Sequence, residues 1–590
     1  MIRIILISNA GLSGGPNGSM ASRPCPVSSL CPRLFRDRAL NRKPAPKRKG
    51  RTMAGSFLAY TAAGVLGLGL LSWRFNKDRT TFGSASWLKP WDAMKAGLFK
   101  QRGILVGDWT GLLPVYYQDT HAITCGESGS GKGACAIVPN MLTARFAFLN
   151  DPGGENTAIA IKAWRKKGYE VMVINPFGMF TEAPWALPSH GFNPVDTLDP
   201  NERTFAASAK LIAEQLISRS GNESGNSKFF KDAAESFLQA ALMFMARHYP
   251  KEDRHLGTLF DLAYAGADEW EELLQRMQGR PDCQDIVGKI ASAMERREGQ
   301  ASEEFSAIMS TIQQDLAWLG DPVVQENLKH SDVDFAALKG TTKDGKRVKG
   351  AIIAVVLPLE FNESHAAIPR LALGCAIQEM QRLPTAREKV LFIIDEAAAL
   401  GKVTRFPNWL ATLRKYNVVL WPIFQNLGQV EDLYGKGWQT FLANCGLRQF
   451  IGVGDLQTAE HVTKLLGQLT VKTQSLNHEG KLTESEARRA LMDIDEILYA
   501  PSKDQLVFTS KNRPRVLKKT PYWVRPELRG LFHRNPYRKK KSPFTFGTSV
   551  KVLKGQLFYA LIWLLTPHPV ASALYLTCVA GLAAHYWGTF

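Results

Sequence analysis

The chain has 590 residues and a net charge of +19, with 45% hydrophobic and 22% charged residues. That is a folded composition, long enough for roughly three or four domains, and it excludes wholesale disorder. The eight cysteines stand singly with no C-x-x-C pair, which argues against a disulfide framework or a zinc site and for a reducing compartment. Residues 1–52 hold 11 Lys/Arg against one Asp, residues 511–555 hold 14 against one Glu, and the remainder is net −4, so a core basic throughout is excluded.

Residues 1–53 form a basic leader without periodicity. They fit an upstream extension assigned by gene calling, with translation from Met53, as well as a real basic arm. They fail as a cleaved signal peptide, because the apolar run near Met1 is only about five residues. AGSFLAYTAAGVLGLGLLSW (54–73) carries no charge and ends in Trp73-Arg74. Twenty such residues cover a bilayer core of about 30 Å, so a transmembrane helix is expected. With Met53 as the start, Arg74, Lys77 and Arg79 place all that follows in the cytoplasm by the positive-inside rule.

Residues 74–200 read as the first part of a nucleotide-binding domain. GILVGDW (103–109) and LPVYYQ (113–118) are short strands, and HAITC (121–125) is an apolar one. Gly126-Glu127-Ser128-Gly129-Ser130-Gly131-Lys132 then fits G-x-x-x-x-G-K, and ACAIVPNML begins a helix. Strand, glycine loop and helix is the context this motif requires. The glycines let backbone N–H groups turn toward phosphate oxygens at a helix N-terminus, and Lys132 would reach the β- and γ-phosphates of ATP; the alternative is a glycine-rich turn without nucleotide. Gly133 stands where the motif has the Ser/Thr whose hydroxyl binds Mg²⁺, so another group must hold the metal or it is held less well.

Residues 201–335 carry no strand signal and read as an all-α domain. In FKDAAESFLQAALMFMARH (230–248), Phe230, Ala234, Phe237, Leu238 and Ala241 share one helix face. The polar stretch 339–349 reads as a hairpin or loop, and AIIAVVLPL (351–359) resumes the sheet, opening the second part of the nucleotide-binding domain (336–536). Val390–Ile394 is an apolar strand ending in Asp395-Glu396. That pattern delivers carboxylates to the C-terminal edge of a parallel sheet. Asp395 is the expected Mg²⁺ residue, acting through water, and Glu396 the group that polarises the attacking water. The alternative for this pair is a helix N-cap, since AAALG follows.

VVLWPIFQ (418–425) is a further strand. Gln425 has the chemistry of a γ-phosphate sensor, or is an amide in a turn. Arg414 is either an arginine entering a neighbouring subunit's site or a solvated cation at a helix end. A basic juxtamembrane stretch (537–555) then leads into a C-terminal hydrophobic membrane segment (556–590), split by Pro567-His568-Pro569, in which only 570–587 is long enough to span.

From about Thr81 to Pro536 the sequence resembles the TraG/TraD-type coupling proteins of type IV secretion and conjugation. The motifs are FGSASW (82–87), the SGKG loop, NDPGGEN (150–156), NPFG (175–178), the run 434–467 and YWVRPELRGLF (522–532). The resemblance implies a RecA-like P-loop α/β fold with an inserted all-α domain that meets cargo, plus transmembrane helices. It implies a homo-hexameric ATPase at the bacterial inner membrane, its motor cytoplasmic. Such an ATPase passes relaxase-bound single-stranded DNA or effector proteins to the channel components. Lys132, Asp395 and Glu396 match its nucleotide site. By position, Arg414 and Gln425 match the trans-acting arginine and sensor glutamine. Gly133 is common in the family. Two features depart from it: Gly153 replaces the lysine of D-P-K-G-E-N, and one N-terminal span stands where two are usual. The competing functions are a docking receptor that binds nucleotide with little hydrolysis, supported by Gly133, and a chromosome-partitioning DNA translocase. The hydrophobic C-terminus disfavours the latter, which usually carries a winged helix there.

Overall fold

A computed structural model describes residues 80–538 except 112, 222, 280–284 and 477–481. The leader, both expected membrane segments and the basic stretch from 539 lie outside the described residues. Among the described residues no helix is long and apolar enough to cross a membrane.

The strands, in chain order, are β1 (Ile104–Trp109), β2 (Leu113–Tyr117), β3 (His121–Gly126), β4 (Phe146–Pro152), β5 (Glu170–Ile174), β6 (Ala351–Leu357) and β7 (Val390–Ile394). They continue with β8 (Val418–Phe424), β9 (Cys445–Ile451), β10 (Gln468–Leu476), β11 (Leu482–Ala490), β12 (Asp504–Thr509) and β13 (Arg515–Lys518). An 11-stranded sheet has the order β2-β1-β13-β12-β9-β3-β8-β7-β4-β6-β5. From β9 to β5 every described pairing is parallel. From β9 outward through β12, β13, β1 and β2 every pairing is antiparallel. Strands β10 and β11 form a separate antiparallel hairpin.

The parallel strands read as unbroken apolar runs because both faces are covered. In β6, Ile352, Ala354 and Val356 join one core with Trp164 and Trp421, while Ile353 and Val355 join another with Phe148, Phe237 and Phe244. Side chains alternate across a strand, so one strand feeds two cores. The first core is closed by the helices Val138–Thr143 and Glu155–Lys167. The second is closed by helices between Phe205 and Leu328. The helical block therefore shares a continuous apolar core with the sheet. Its longest helix, Gly225–His248, is capped by Ser224, whose hydroxyl accepts from Ser227 N–H. Ala234, Phe237, Leu238 and Ala241 are buried as the periodicity predicts, with Phe230 packed against the same core. Toward its end, Leu242 through Ala246 are buried all round, which marks a helix enclosed by neighbours.

The segment 522–532 closes the antiparallel end. Arg525 is 3% exposed and donates to Asp108 Oδ2 of β1 at 2.7 Å. Burial raises the Asp108 pKa, and Arg525 opposes that shift. Removing one partner of such a pair strands a buried charge. Arg525→Leu is expected to lower stability by about 3–5 kcal/mol, and Arg525→Leu with Asp108→Leu to recover most of it. Urea unfolding of the solubilised chain and its two variants measures both effects.

Candidate active site

The C-terminal ends of β3, β4, β7 and β8 lie side by side on the parallel array, and the loops leaving them build the site. The glycine loop leaves β3. Gly131 has φ +94°, a left-handed conformation that glycine adopts without strain, and Ser130 N–H donates to Glu127 carbonyl at 3.2 Å. Gly126 ends the strand. Glu127, Ser128 and Gly129 are exposed at the rim, and Ser130 through Gly133 are half-buried. After Lys132 the chain runs through a π-helical turn, Gly133–Ile137, before the α-helix. The wider turn suits Pro139, which has no N–H and whose ring crowds the carbonyl four residues back.

Lys132 Nζ donates to Gly126 carbonyl at 2.8 Å and lies 3.9 Å from Glu396 Oε2. Glu396 Oε1 accepts from Gln425 Nε2 at 2.5 Å. Glu396 sits at φ 53°, ψ 50°, a left-handed conformation costing a non-glycine residue roughly 1–2 kcal/mol. Asn150 clamps that turn. Its carbonyl accepts from Asp395 N–H at 3.2 Å, and its Nδ2 donates to Asp395 carbonyl at 3.0 Å. The acidic pair thus leaves β7 in a fixed turn, with Glu396 open to the loop and Asp395 beneath it.

Asp395 Oδ1 accepts from Glu396 N–H at 3.1 Å, and Oδ2 from Asn156 Nδ2 at 3.3 Å. Burial, and then the neighbouring Asp151 and Glu396, push its pKa up to about 7. Asp151 is fully buried near the end of β4 and faces the first turn of the helix Glu155–Lys167. It accepts from Thr157 N–H at 2.6 Å, Asn156 N–H at 3.4 Å and Asn156 Nδ2 at 2.7 Å. Burial raises it to about 6 against those hydrogen bonds. Asp395 therefore sits between two further carboxylates, Asp151 and Glu396, with Lys132 as the cation nearest to it.

Lys132, Asp395, Glu396 and Gln425 are brought together. Arg414 is not brought to them. It lies in the short helix Leu413–Tyr416 before β8 and lines a cavity of about 1050 Å³ with Arg102, Arg145 and Lys389. That cavity is at the opposite end of the strands, beside His121, the first residue of β3. Burial, with Arg414 and Lys389 nearby, pushes the His121 pKa down to about 4. Six residues of rise along β8 separate the two ends, roughly 20 Å.

Sequence reasoning missed three contributors: Asp151, Asn156, and Lys519, whose Nζ braces the loop by donating to Ser130 carbonyl at 2.8 Å. NDPGGEN was the signal for the first two; nothing local marks Lys519. The departure at Gly153 has a physical reason. Its φ is +79°, and a Cβ there would lie 3.2 Å from Leu359 Cγ, so a lysine would be strained as well as crowded.

A strand, glycine loop, helix and an acidic strand end on one edge of a parallel array define a RecA-like α/β fold of the P-loop type. The family described as Type IV secretory system Conjugative DNA transfer matches residues 76–545, and the chain belongs to that family. It is 23% identical over 503 residues to Protein VirD4 of Rhizobium radiobacter, covering 81% of this chain and 69% of that protein. It is 23% identical over 513 residues to the conjugal transfer protein TraG of Agrobacterium fabrum (strain C58 / ATCC 33970), covering 79% and 74%. The fold is similar to that of the bacterial conjugative coupling protein TrwBdeltaN70, with a TM-score of 0.57 at 15% identity over 74% of this chain and 94% of that one. It is also similar to TrwB bound to the ATP analogue ADPNP, with a TM-score of 0.56 at 15% identity over 74% and 93%.

Proposed function

We propose that this chain is a membrane-anchored, ATP-hydrolysing coupling protein of a type IV secretion or conjugation system. The observation that carries the reading is the convergence of Lys132, Asp395, Glu396 and Gln425 on one sheet edge beside the glycine loop. The N–H groups of Gly126–Gly133 and the Lys132 ammonium would bind the phosphates. Asp395, through water, would hold Mg²⁺, which neutralises phosphate charge when bound. Glu396 would take the proton of the attacking water, and Gln425, already donating to it, would fix its rotamer. TrwB has been solved with ADP and Mg²⁺, which supports this pairing of nucleotide and metal here. No three His, Cys, Asp or Glu among the described residues form a metal cage. Mg²⁺ held with a nucleotide takes only one or two protein oxygens, so these residues fit it.

The remaining assignments follow from the same reading. Residues 74–200 and 336–536 make one motor domain, and 201–335 is the cargo-facing insertion. Segments 54–73 and 556–590 anchor the chain in the inner membrane, with the motor in the cytoplasm. Lys539–Lys541, Lys551 and Lys554 flank the C-terminal segment, where anionic headgroups attract cations by about 1 kcal/mol each. The motor works as a homo-hexamer, with Arg414 completing the neighbour's site. Its cargo is relaxase-bound single-stranded DNA or effector protein, delivered to the channel components.

Gly133 favours one other reading, a docking receptor that binds ATP and hardly cleaves it. Phosphate release by the full chain in nanodiscs separates the two. The motor turns over ATP only with Mg²⁺ and faster with single-stranded DNA. Saturable ATP binding without release would establish the receptor instead.

A further inference from the structure

In a G-x-x-x-x-G-K-[ST] loop the last residue presents a hydroxyl to Mg²⁺, and here that residue is Gly133. The space beside it is taken. A Cβ built on Gly133 would lie 3.0 Å from Asn156 Oδ1. Asn156 is 4% exposed and stands in the first turn of the helix Glu155–Lys167. Its Nδ2 donates to Asp151 Oδ1 at 2.7 Å and to Asp395 Oδ2 at 3.3 Å. Both partners are carboxylates, so the amino group must face them. The amide oxygen is thereby turned toward Gly133, where it is buried without any hydrogen-bond partner among the described residues. Leaving a buried acceptor unpaired costs roughly 1–3 kcal/mol. The oxygen is held in that position by Asp151 and by Asp395, the residue assigned above to Mg²⁺.

We propose that Asn156 Oδ1 replaces the missing loop hydroxyl as the neutral oxygen that holds Mg²⁺ beside the nucleotide. This rests on the nucleotide reading above. An amide oxygen is a hard, uncharged donor as a hydroxyl is, and suits Mg²⁺ equally. It reaches the side of Gly133 from the helix after β4 instead of from the loop itself. Gly133 and Asn156 are then a matched pair: the glycine is small because the asparagine fills its place.

The test uses the full chain in nanodiscs, a fluorescent ATP analogue, and Mn²⁺ as a paramagnetic stand-in for Mg²⁺. Nucleotide affinity is measured in EDTA, and the half-saturating Mn²⁺ concentration is measured with nucleotide bound. Asn156→Ala is expected to leave metal-free nucleotide affinity within about two-fold and to raise half-saturating Mn²⁺ about 10- to 100-fold. Gly133→Ser alone is crowded against Asn156 and is expected to weaken Mn²⁺ binding. Gly133→Ser combined with Asn156→Ala opens the space and restores the hydroxyl, so Mn²⁺ affinity should return toward wild type. A role limited to donating Nδ2 to the carboxylates predicts no such rescue. The inference is overturned by an unchanged Mn²⁺ midpoint in Asn156→Ala. It is equally overturned if the double variant, shown folded by its metal-free nucleotide affinity, is not rescued. Wild-type chain that binds no nucleotide with or without metal would instead remove the nucleotide reading itself, and this inference with it.

Discussion

Lys132→Ala is expected to lose ATP binding, and Glu396→Gln to bind ATP while releasing phosphate about 10²–10⁴-fold more slowly. The two effects differ because the residues do different things on the same edge. Lys132 emerges from the loop and is held between the Gly126 carbonyl and the Glu396 carboxylate, where it is the cation available to phosphate. In the proposed reaction Glu396 carries the proton-accepting oxygen. Its amide isostere keeps the left-handed turn after β7 and still accepts from Gln425, so the loss isolates proton transfer from architecture. Equilibrium binding of a fluorescent ATP analogue, paired with phosphate release by the full chain, reads the two effects separately. Normal turnover in both variants would remove the motor assignment.

A mixture of Arg414→Ala and Glu396→Gln chains is expected to recover hydrolysis that neither variant has alone. Within one chain Arg414 lies near the start of β8 and Glu396 beside its end, about 20 Å apart, beyond the reach of an arginine side chain. Any action of Arg414 on the γ-phosphate must therefore be on a neighbour. A trans-acting arginine contributes about 10³–10⁵ in rate, so each parent should be nearly inactive. In mixed assemblies of the proposed hexamer one type of interface would join an intact Glu396 to an intact Arg414, and that type alone would restore turnover. Phosphate release against mixing ratio measures it. A mixture as inactive as its parents, with co-assembly shown by differential tags, would return Arg414 to the role of a cation lining the cavity with Arg102, Arg145 and Lys389.

The strands that carry the site were legible because burial on both faces makes them plain apolar runs. Val390–Ile394 was bounded to the residue, and the 418–425 run ends where β8 delivers Gln425. The glycine loop was legible from spacing. What stayed hidden depends on contacts between distant parts of the chain. The antiparallel extension through β12 and β13 is short and mixed in polarity, and its place beside β9 follows from pairing that no local pattern encodes. Strands β10 and β11 pair in a polar hairpin, so they lack the apolar signal by which a strand is read. The role proposed for Asn156 was invisible because it depends on an amide oxygen of the helix after β4 standing beside Gly133 of the turn after β3. The helical block was legible as helix, but its shared core with the sheet was not, since periodicity shows that a face is buried and not what covers it.

Phosphate release from the wild-type full chain and from Glu396→Gln, at saturating ATP and Mg²⁺, decides whether this chain is a motor. The wild type should turn over continuously. The variant should retain stoichiometric, uncleaved ATP after rapid gel filtration. Equal release from the two chains, or ATP retained uncleaved by the wild type as well, would contradict an ATP-hydrolysing motor built on the Asp395-Glu396 strand end.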